Sequence, residues 1–234
     1  MEVRLAESLN LDTVAVSMLG GQFKRSDSQR AIEVALQQRA ANIMQALQVP
    51  ADMPIQIHYL PSETVNAMAT LGGHLMVFQG LLAKLHYQEE LDAVLAHEIG
   101  HILHRHMIQH LSRGVVMATA LGLIGIRSSS LNQWLIGDLQ QLQLLAYSRE
   151  AEREADDAAI LASQRLYGHT AGVVSIFRLF NQLKASSAPA WTQSHPLPED
   201  RAHHAQALAE RTTDKPPTLT PLTPPLALDK PDRH

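Results

Sequence analysis

The segment His97-Glu98-Ile99-Gly100-His101 is the most informative part of this sequence. It lies within Glu89 to about Ser112, whose apolar pattern predicts one long helix. On a helix, two histidines four positions apart face the same side and lie about 6 Å apart along the axis. Two imidazole nitrogens placed in this way can both bind one tetrahedral metal ion such as Zn²⁺.

Glu98 gives this pair of histidines a chemical use. It follows the first histidine directly, so its carboxylate can reach a water molecule held at the metal. H-E-x-x-H on a helix is typical of zinc-dependent peptidases, in which the glutamate acts as general base. Two histidines do not complete a catalytic zinc site, which usually has three protein ligands. The sequence therefore has to supply a third ligand elsewhere.

A charged segment at residues 148–157 begins a second predicted helix, Ser148 to Leu166. Together with H-E-I-G-H, it resembles the zinc metallopeptidases that include the HtpX-type membrane proteases, the type I CAAX prenyl proteases and the beta-barrel-assembly-enhancing protease. The second motif of that family, S-R-x-x-E-x-x-A-D, is matched at Ser148, Arg149, Glu152, Ala155 and Asp156. The resemblance covers about residues 30–205.

This resemblance implies that Glu152 completes the zinc site of His97 and His101, with Asp156 supporting a ligand histidine. The spacing of the two carboxylates agrees, because residues four apart share one helix face. Glu150 and Glu154 are expected to point into solvent. The alternative is an exposed acidic first turn that only favours the helix dipole.

A third matching element, H-P-x-x-x-x-R, is present at His195, Pro196 and Arg201. In the family that the chain resembles, this histidine approaches the metal, where it stabilises the oxyanion or caps the zinc as a further ligand. We therefore expect a catalytic role for His195 and a supporting role for Arg201. A surface histidine in a turn and an arginine in an ordinary salt bridge are the alternatives.

Residues 66–69 and 72–78 resemble the N-A-x-A segment and glycine-containing edge strand over the active-site cleft of this family. An edge strand offers unpaired N–H and C=O groups to an extended peptide, and glycine permits close approach. Substrate contacts are therefore expected at Asn66, Gly73, His74 and Leu75. An ordinary hairpin is the alternative.

The remaining pattern predicts a mainly helical chain with a few strands. A helix capped by Ser26, Asp27 or Ser28 runs to about Leu47, strands are expected at 55–60 and 74–78, and a short helix at 62–70. Further helices are expected at 131–147, 170–185 and 198–211. The predicted fold is a mainly helical α+β gluzincin domain with a small sheet at the cleft. Residues 1–25 form an extension, 26–211 the peptidase domain, and 212–234 a Pro-rich, disordered tail.

The composition excludes several classes of site and partner. The chain has 234 residues and a net charge of −4, so nucleic acid is not an expected partner. It has no cysteine, which excludes metal sites with thiolate ligands. The apolar segment 114–126 is about 13 residues long, too short to span a bilayer. It is expected to be a buried helix or hairpin, and the alternative is a hairpin that contacts a membrane surface peripherally or guards the cleft. The N-terminus lacks the pattern of a signal peptide, which favours a cytoplasmic location. If a signal was removed, the alternative is a periplasmic or membrane-associated location.

The sequence as a whole predicts a zinc-dependent endopeptidase with one Zn²⁺ per chain. Its substrates would be proteins or peptides, with misfolded or envelope proteins as candidates, and its oligomeric state is left open. The alternative function is a latent or chaperone-like zinc-binding protein whose metal site is closed by His195, as structural zinc sites are.

Overall fold

A computed structural model describes residues 25–109, 147–186, 189–196, 201, 203–204, 206–207 and 217–228. The main elements of these residues are six α-helices and a three-stranded sheet, which confirms the predicted mainly helical α+β fold. The extension 1–24, the apolar segment 114–126 and the pattern at 131–146 lie outside the described residues. No helix within the described ranges is long and apolar enough to cross a membrane.

Helix α1, Asp27–Leu47, is capped by Ser26, one of the three residues that the sequence offers as caps. Gln29 N donates to Ser26 Oγ at 3.2 Å, and Ser26 N donates to Gln29 Oε1 at 3.0 Å. This reciprocal pair satisfies two N–H groups that the first turn leaves without helical partners. The buried face of the helix consists of Ile32, Leu36, Ala40, Ile43 and Leu47. This face packs into the main hydrophobic core.

The sheet contains β1 (Gln56–Leu60), β2 (Ala67–Ala69) and β3 (His74–Phe78) in the order β1-β3-β2. β3 is parallel to β1 and antiparallel to β2. Two expectations are wrong here. Residues 62–70 do not form a helix, because the backbone of 67–69 pairs with β3. Residues 74–78 are not an edge strand, because β3 has a partner on each side.

The helix of the H-E-I-G-H segment is α3, Gln88–Leu103, which follows the short helix α2, Gln79–Leu82. α3 is buried along most of its length. It does not continue to Ser112 as expected. Arg105 adopts a left-handed conformation with φ of 56°, and the chain is helical again at 106–109. The left-handed backbone at Arg105 changes the direction of the chain. The helical pattern of the sequence does not reveal this change.

Three helices complete the metal-site region: α4 (Arg149–Tyr167), α5 (Ala171–Ser186) and α6 (Ala190–Ser194). Ser148 caps α4 by accepting a hydrogen bond from Ala151 N at 3.2 Å. α4 packs closely on α3. A Cβ atom added at Gly100 would lie only 3.0 Å from Ala155 Cα. The glycine of H-E-I-G-H therefore lets α3 and α4 approach each other closely.

Part of the expected disordered tail is packed on the domain. Gln88 N donates to Thr220 O at 2.8 Å, and Thr220 Oγ1 donates to Glu89 Oε1 at 2.8 Å. Leu226 is buried in the hydrophobic core. The proline content predicts disorder for residues 217–228, but these residues pack on the domain because they contact the start of α3.

Candidate metal centre

His97 and His101 lie one turn apart on α3, and their Nε2 atoms are 3.1 Å apart. Both side chains are almost fully buried. Burial lowers the pKa of His101 well below its usual value, and the neighbouring His97 and His195 lower it further. A neutral imidazole keeps the lone pair that a metal ligand requires.

Two further donor atoms converge on this pair. Glu152, in the first turn of α4, places Oε1 3.6 Å from His101 Nε2 and Oε2 3.7 Å from His97 Nε2. His195, directly after α6, places Nδ1 3.0 Å from Glu152 Oε1 and 3.2 Å from His97 Nε2. The structure therefore brings together four buried side chains that could hold a metal ion: His97, His101, Glu152 and His195.

The size and chemistry of this donor group fit zinc. Tetrahedral zinc with ligand distances of about 2.0–2.1 Å has its ligand atoms about 3.3 Å apart. The five separations given above range from 3.0 to 3.7 Å. Imidazole nitrogen and carboxylate oxygen are donors that zinc accepts readily. The group thus has the spacing that one tetrahedral ion requires.

Asp156 and Arg201 form a second layer behind the donors. Asp156 Oδ1 lies 3.0 Å from His97 Nδ1. Arg201 donates from Nε and Nη2 to the two oxygens of Asp156, both at 2.7 Å, and its Nη1 lies 2.6 Å from Glu152 Oε2. One buried guanidinium therefore contacts both carboxylates of the α4 face.

These contacts keep the carboxylates ionised. Burial alone would raise the pKa of Asp156, but hydrogen bonds from Arg201 and His97 outweigh it and hold that pKa below its usual range. Burial likewise opposes ionisation of Glu152, but His195, His97 and Arg201 lower its pKa. For His195, burial acts to lower the pKa, but the charges of Glu98 and Glu152 raise it.

Glu98 is fully buried beside the donor group. Its Oε2 accepts a hydrogen bond from Ala69 N at 2.9 Å, and its Oε1 accepts one from Trp191 Nε1 at 3.2 Å. His195 Nε2 lies 3.4 Å from the same Oε1. Glu98 thus connects α3 to strand β2 and to the His195 segment.

Three contributors were not found from the sequence. Trp191 contacts Glu98, and Tyr147 stacks on His101 with ring centroids 4.1 Å apart. In a continuous helix His106 would face away from His101, but its Nδ1 lies 2.9 Å from His101 Nδ1. For Trp191, the only signal in the sequence is its position four residues before His195.

Two of the four expected substrate-contact residues, His74 and Leu75, lie in the central strand β3. Leu75 is fully buried, Asn66 is 6% exposed, and His74 Nδ1 lies 2.9 Å from His58 Nε2. Gly73 has a φ of +82°, and a Cβ there would lie 1.9 Å from Pro54 O, so close packing requires this glycine.

The outer edge of β2 is the strand edge beside the metal centre. Phe78 N donates to Asn66 O, and Thr70 N donates to His74 O. Hydrogen-bonded pairs alternate along an antiparallel ladder, so the N–H and C=O groups of Ala67 and Ala69 point away from β3. The N–H of Ala69 is the one that reaches Glu98.

Comparison with known proteins adds independent evidence. A model of Peptidase family M48 matches residues 31–209. Metalloprotease YcaL of Escherichia coli is 28% identical over 155 residues, which is 64% of this chain and 61% of YcaL. Metalloprotease LoiP of the same organism is 25% identical over 160 residues, with the same two shares, 64% and 61%.

A third relative, the beta-barrel assembly-enhancing protease of Escherichia coli, is 28% identical over 172 residues, which is 68% of this chain and 35% of that protein. The chain therefore spans less than two thirds of the length of these relatives.

Proposed function

The chain belongs to peptidase family M48, and from this premise we propose that it is a zinc-dependent endopeptidase that hydrolyses peptide bonds in proteins. The observation that carries the proposal is the buried group of His97, His101 and Glu152 with the carboxylate of Glu98 beside it. Residues 26–211 would form the peptidase domain.

His97, His101 and Glu152 would hold one zinc ion per chain. A zinc ion bound there would supply a Lewis acid that polarises the scissile carbonyl group. Arg201 and Asp156 would keep the ligands in place, since Asp156 contacts His97 and Arg201 contacts both carboxylates. Such supporting contacts orient ligands and tune their basicity.

Glu98 would act as the general base. Its carboxylate would take a proton from the attacking water and pass it to the leaving amine. Ala69 N and Trp191 Nε1 hold the two oxygens in position, so the base would be oriented before substrate binds. His195 would assist beside Glu98, because its Nε2 lies 3.4 Å from Glu98 Oε1 and can donate a hydrogen bond to a developing oxyanion.

The substrate would bind along the outer edge of β2. The C=O groups of Ala67 and Ala69 and the N–H of Ala67 point to that edge, whereas the N–H of Ala69 already donates to the proposed base. An extended peptide paired there would pass beside the metal centre, with its main chain recognised and its side chains free to vary. This arrangement suits an enzyme that acts on unfolded protein segments.

The relatives favour a peptidase over a latent zinc-binding protein. Each of the three is named a protease. The name of one, beta-barrel assembly-enhancing protease, supports envelope proteins as a substrate class for this chain.

Exchange of Glu98 for glutamine tests the proposal. Glu98→Gln should fold and bind one zinc per chain, but it should cleave casein at least about 10²-fold more slowly, because an amide cannot accept the proton. Glu150→Gln, an equivalent change at an exposed position of α4, should keep full activity. Chelation should abolish cleavage by the unchanged protein, and zinc should restore it. Undiminished cleavage by Glu98→Gln would refute the assignment.

A further inference from the structure

We propose that His106 and Glu154 position the ligand histidine His101. The inference rests on the zinc site proposed above. His101 Nε2 faces His97 and Glu152, whereas its Nδ1 lies 2.9 Å from His106 Nδ1. The other nitrogen of His106, Nε2, lies 2.8 Å from Glu154 Oε2. The three side chains therefore form an unbroken chain of contacts from α4 to the metal centre.

The chemistry of imidazole sets the direction of each hydrogen bond. A ring nitrogen that binds a metal carries no proton, so a neutral His101 that binds through Nε2 carries its proton on Nδ1. That N–H donates to His106 Nδ1, which must then be the unprotonated nitrogen of its ring. His106 keeps its proton on Nε2 and donates it to Glu154. The carboxylate thus selects the tautomer of both rings.

The second ligand histidine shows the same principle with one fewer link. His97 Nδ1 contacts Asp156 directly at 3.0 Å. Glu154 lies two positions earlier on α4, hence on a different face of the helix, and it requires His106 to reach the ligand. Both ligand histidines are therefore oriented by carboxylates of α4, one directly and one through an imidazole.

The backbone around Arg105 makes this contact possible. In a continuous helix, residues five apart differ in direction by about 140°, so His106 would not face His101. The left-handed conformation of Arg105 ends α3 and turns His106 back towards the ligand. His106 is 3% exposed, whereas the Glu154 side chain is 44% exposed. A buried imidazole with a partner at each nitrogen is consistent with a fixed orientation.

The test is the zinc affinity of the metal-free full chain, measured by competition with a chromophoric chelator. His106→Leu removes the acceptor and should weaken zinc binding by about 10–100-fold, the usual effect of losing such a contact. His106→Gln can accept through its amide oxygen and should recover most of the affinity. Glu154→Gln should weaken binding less, by about 3–10-fold, because its amide oxygen can still accept from His106 but lacks the charge of the carboxylate.

Two control variants separate positioning from other roles. Glu150→Gln is an exposed change on the same helix and should leave zinc affinity unchanged. His104 could join His106 and Glu154 in binding a second ion, but its Nδ1 lies 3.9 Å from Glu154. His104→Ala should therefore leave affinity unchanged. A loss equal to that of His106→Leu would overturn the proposal in favour of a second metal site.

The outcomes also separate this inference from the proposed function. If the unchanged protein binds zinc and both His106→Leu and Glu154→Gln match it within about a factor of two, the positioning role is refuted alone. If the unchanged protein binds no zinc, the proposed function fails as well. Unfolding of the metal-free variants checks the fold, and the exposed Glu154→Gln decides the question if His106→Leu does not fold.

Discussion

Trp191 donates a hydrogen bond from its indole nitrogen to Glu98 Oε1 at 3.2 Å. The same indole stacks on Phe180, with centroids 4.2 Å apart, and on His195 at 4.8 Å. Trp191 is buried, and a buried indole N–H usually has an acceptor. The ring therefore connects the proposed base to the segment that carries His195.

Trp191→Phe should reduce turnover more than substrate binding. Phenylalanine can keep the stacking contacts with Phe180 and His195 but has no N–H for Glu98, so the carboxylate loses one of its two orienting donors. We expect kcat for peptide cleavage to fall by about 10-fold, with KM changed little. Steady-state kinetics with a fluorogenic peptide measure both constants. An unchanged kcat would show that the indole N–H of Trp191 does not orient Glu98.

Gly100→Ala should destabilise the protein and weaken the metal site together. An added Cβ would lie 2.9 Å from Ala158 Cβ and 3.0 Å from Ala155 Cα, so α3 and α4 must separate. Overpacking of this kind costs about 1–3 kcal/mol of unfolding free energy. The separation also moves Glu152 relative to the histidines, so zinc affinity should fall.

Gly168→Ala is the matched control for that variant. Gly168 has a φ of +74° with no atom within 4 Å of an added Cβ. Its replacement should cost about 1 kcal/mol in backbone strain and leave zinc affinity unchanged. Denaturant unfolding of the metal-free proteins and zinc titration provide the two measurements. Equal zinc affinity in the two glycine variants would contradict the explanation.

His195→Ala should lower activity while zinc stays bound. His97, His101 and Glu152 remain as ligands, but the group beside Glu98 that can donate to an oxyanion is lost. Loss of one such donor lowers kcat by about 10²-fold or more. Zinc stoichiometry and kcat/KM, measured on the same preparation, test this expectation. Higher activity in the variant would instead indicate that His195 blocks the site.

Asp156→Asn should reduce the acid sensitivity of the metal-free protein. The pKa of Asp156 is below its usual range in the folded state, because Arg201 and His97 outweigh the effect of burial. A carboxyl group with a depressed pKa adds stability above the pKa of its unfolded state, and that stability is lost as pH falls through the folded value. Arg201 stays charged throughout this range.

Denaturant unfolding between pH 7 and about pH 3 measures this effect as a difference between the two proteins. Asp156→Asn should be less stable than the unchanged protein at neutral pH. The difference in unfolding free energy between the two proteins should become smaller as the pH falls. A difference that stays constant would show that Asp156 contributes no pH-dependent stability.

Much of the helical framework was predictable, because its signals are local. The cap at Ser26, the apolar face of α1 and the helix that begins after Ser148 all depend on residues a few positions apart. The one-turn spacing of His97 and His101 follows from helix geometry in the same way. The roles assigned to Glu98, Glu152 and His195 stay predictions until they are measured.

The sequence by itself determined most of the long helices and which side chains share their faces, since caps and periodicity act within one or two turns. Only the tertiary structure decided that β3 lies in the middle of the sheet and that Trp191 holds Glu98. It also decided that Arg105 turns His106 onto His101. Strand order and such contacts depend on packing between segments far apart in the chain. Local sequence preferences do not determine that packing.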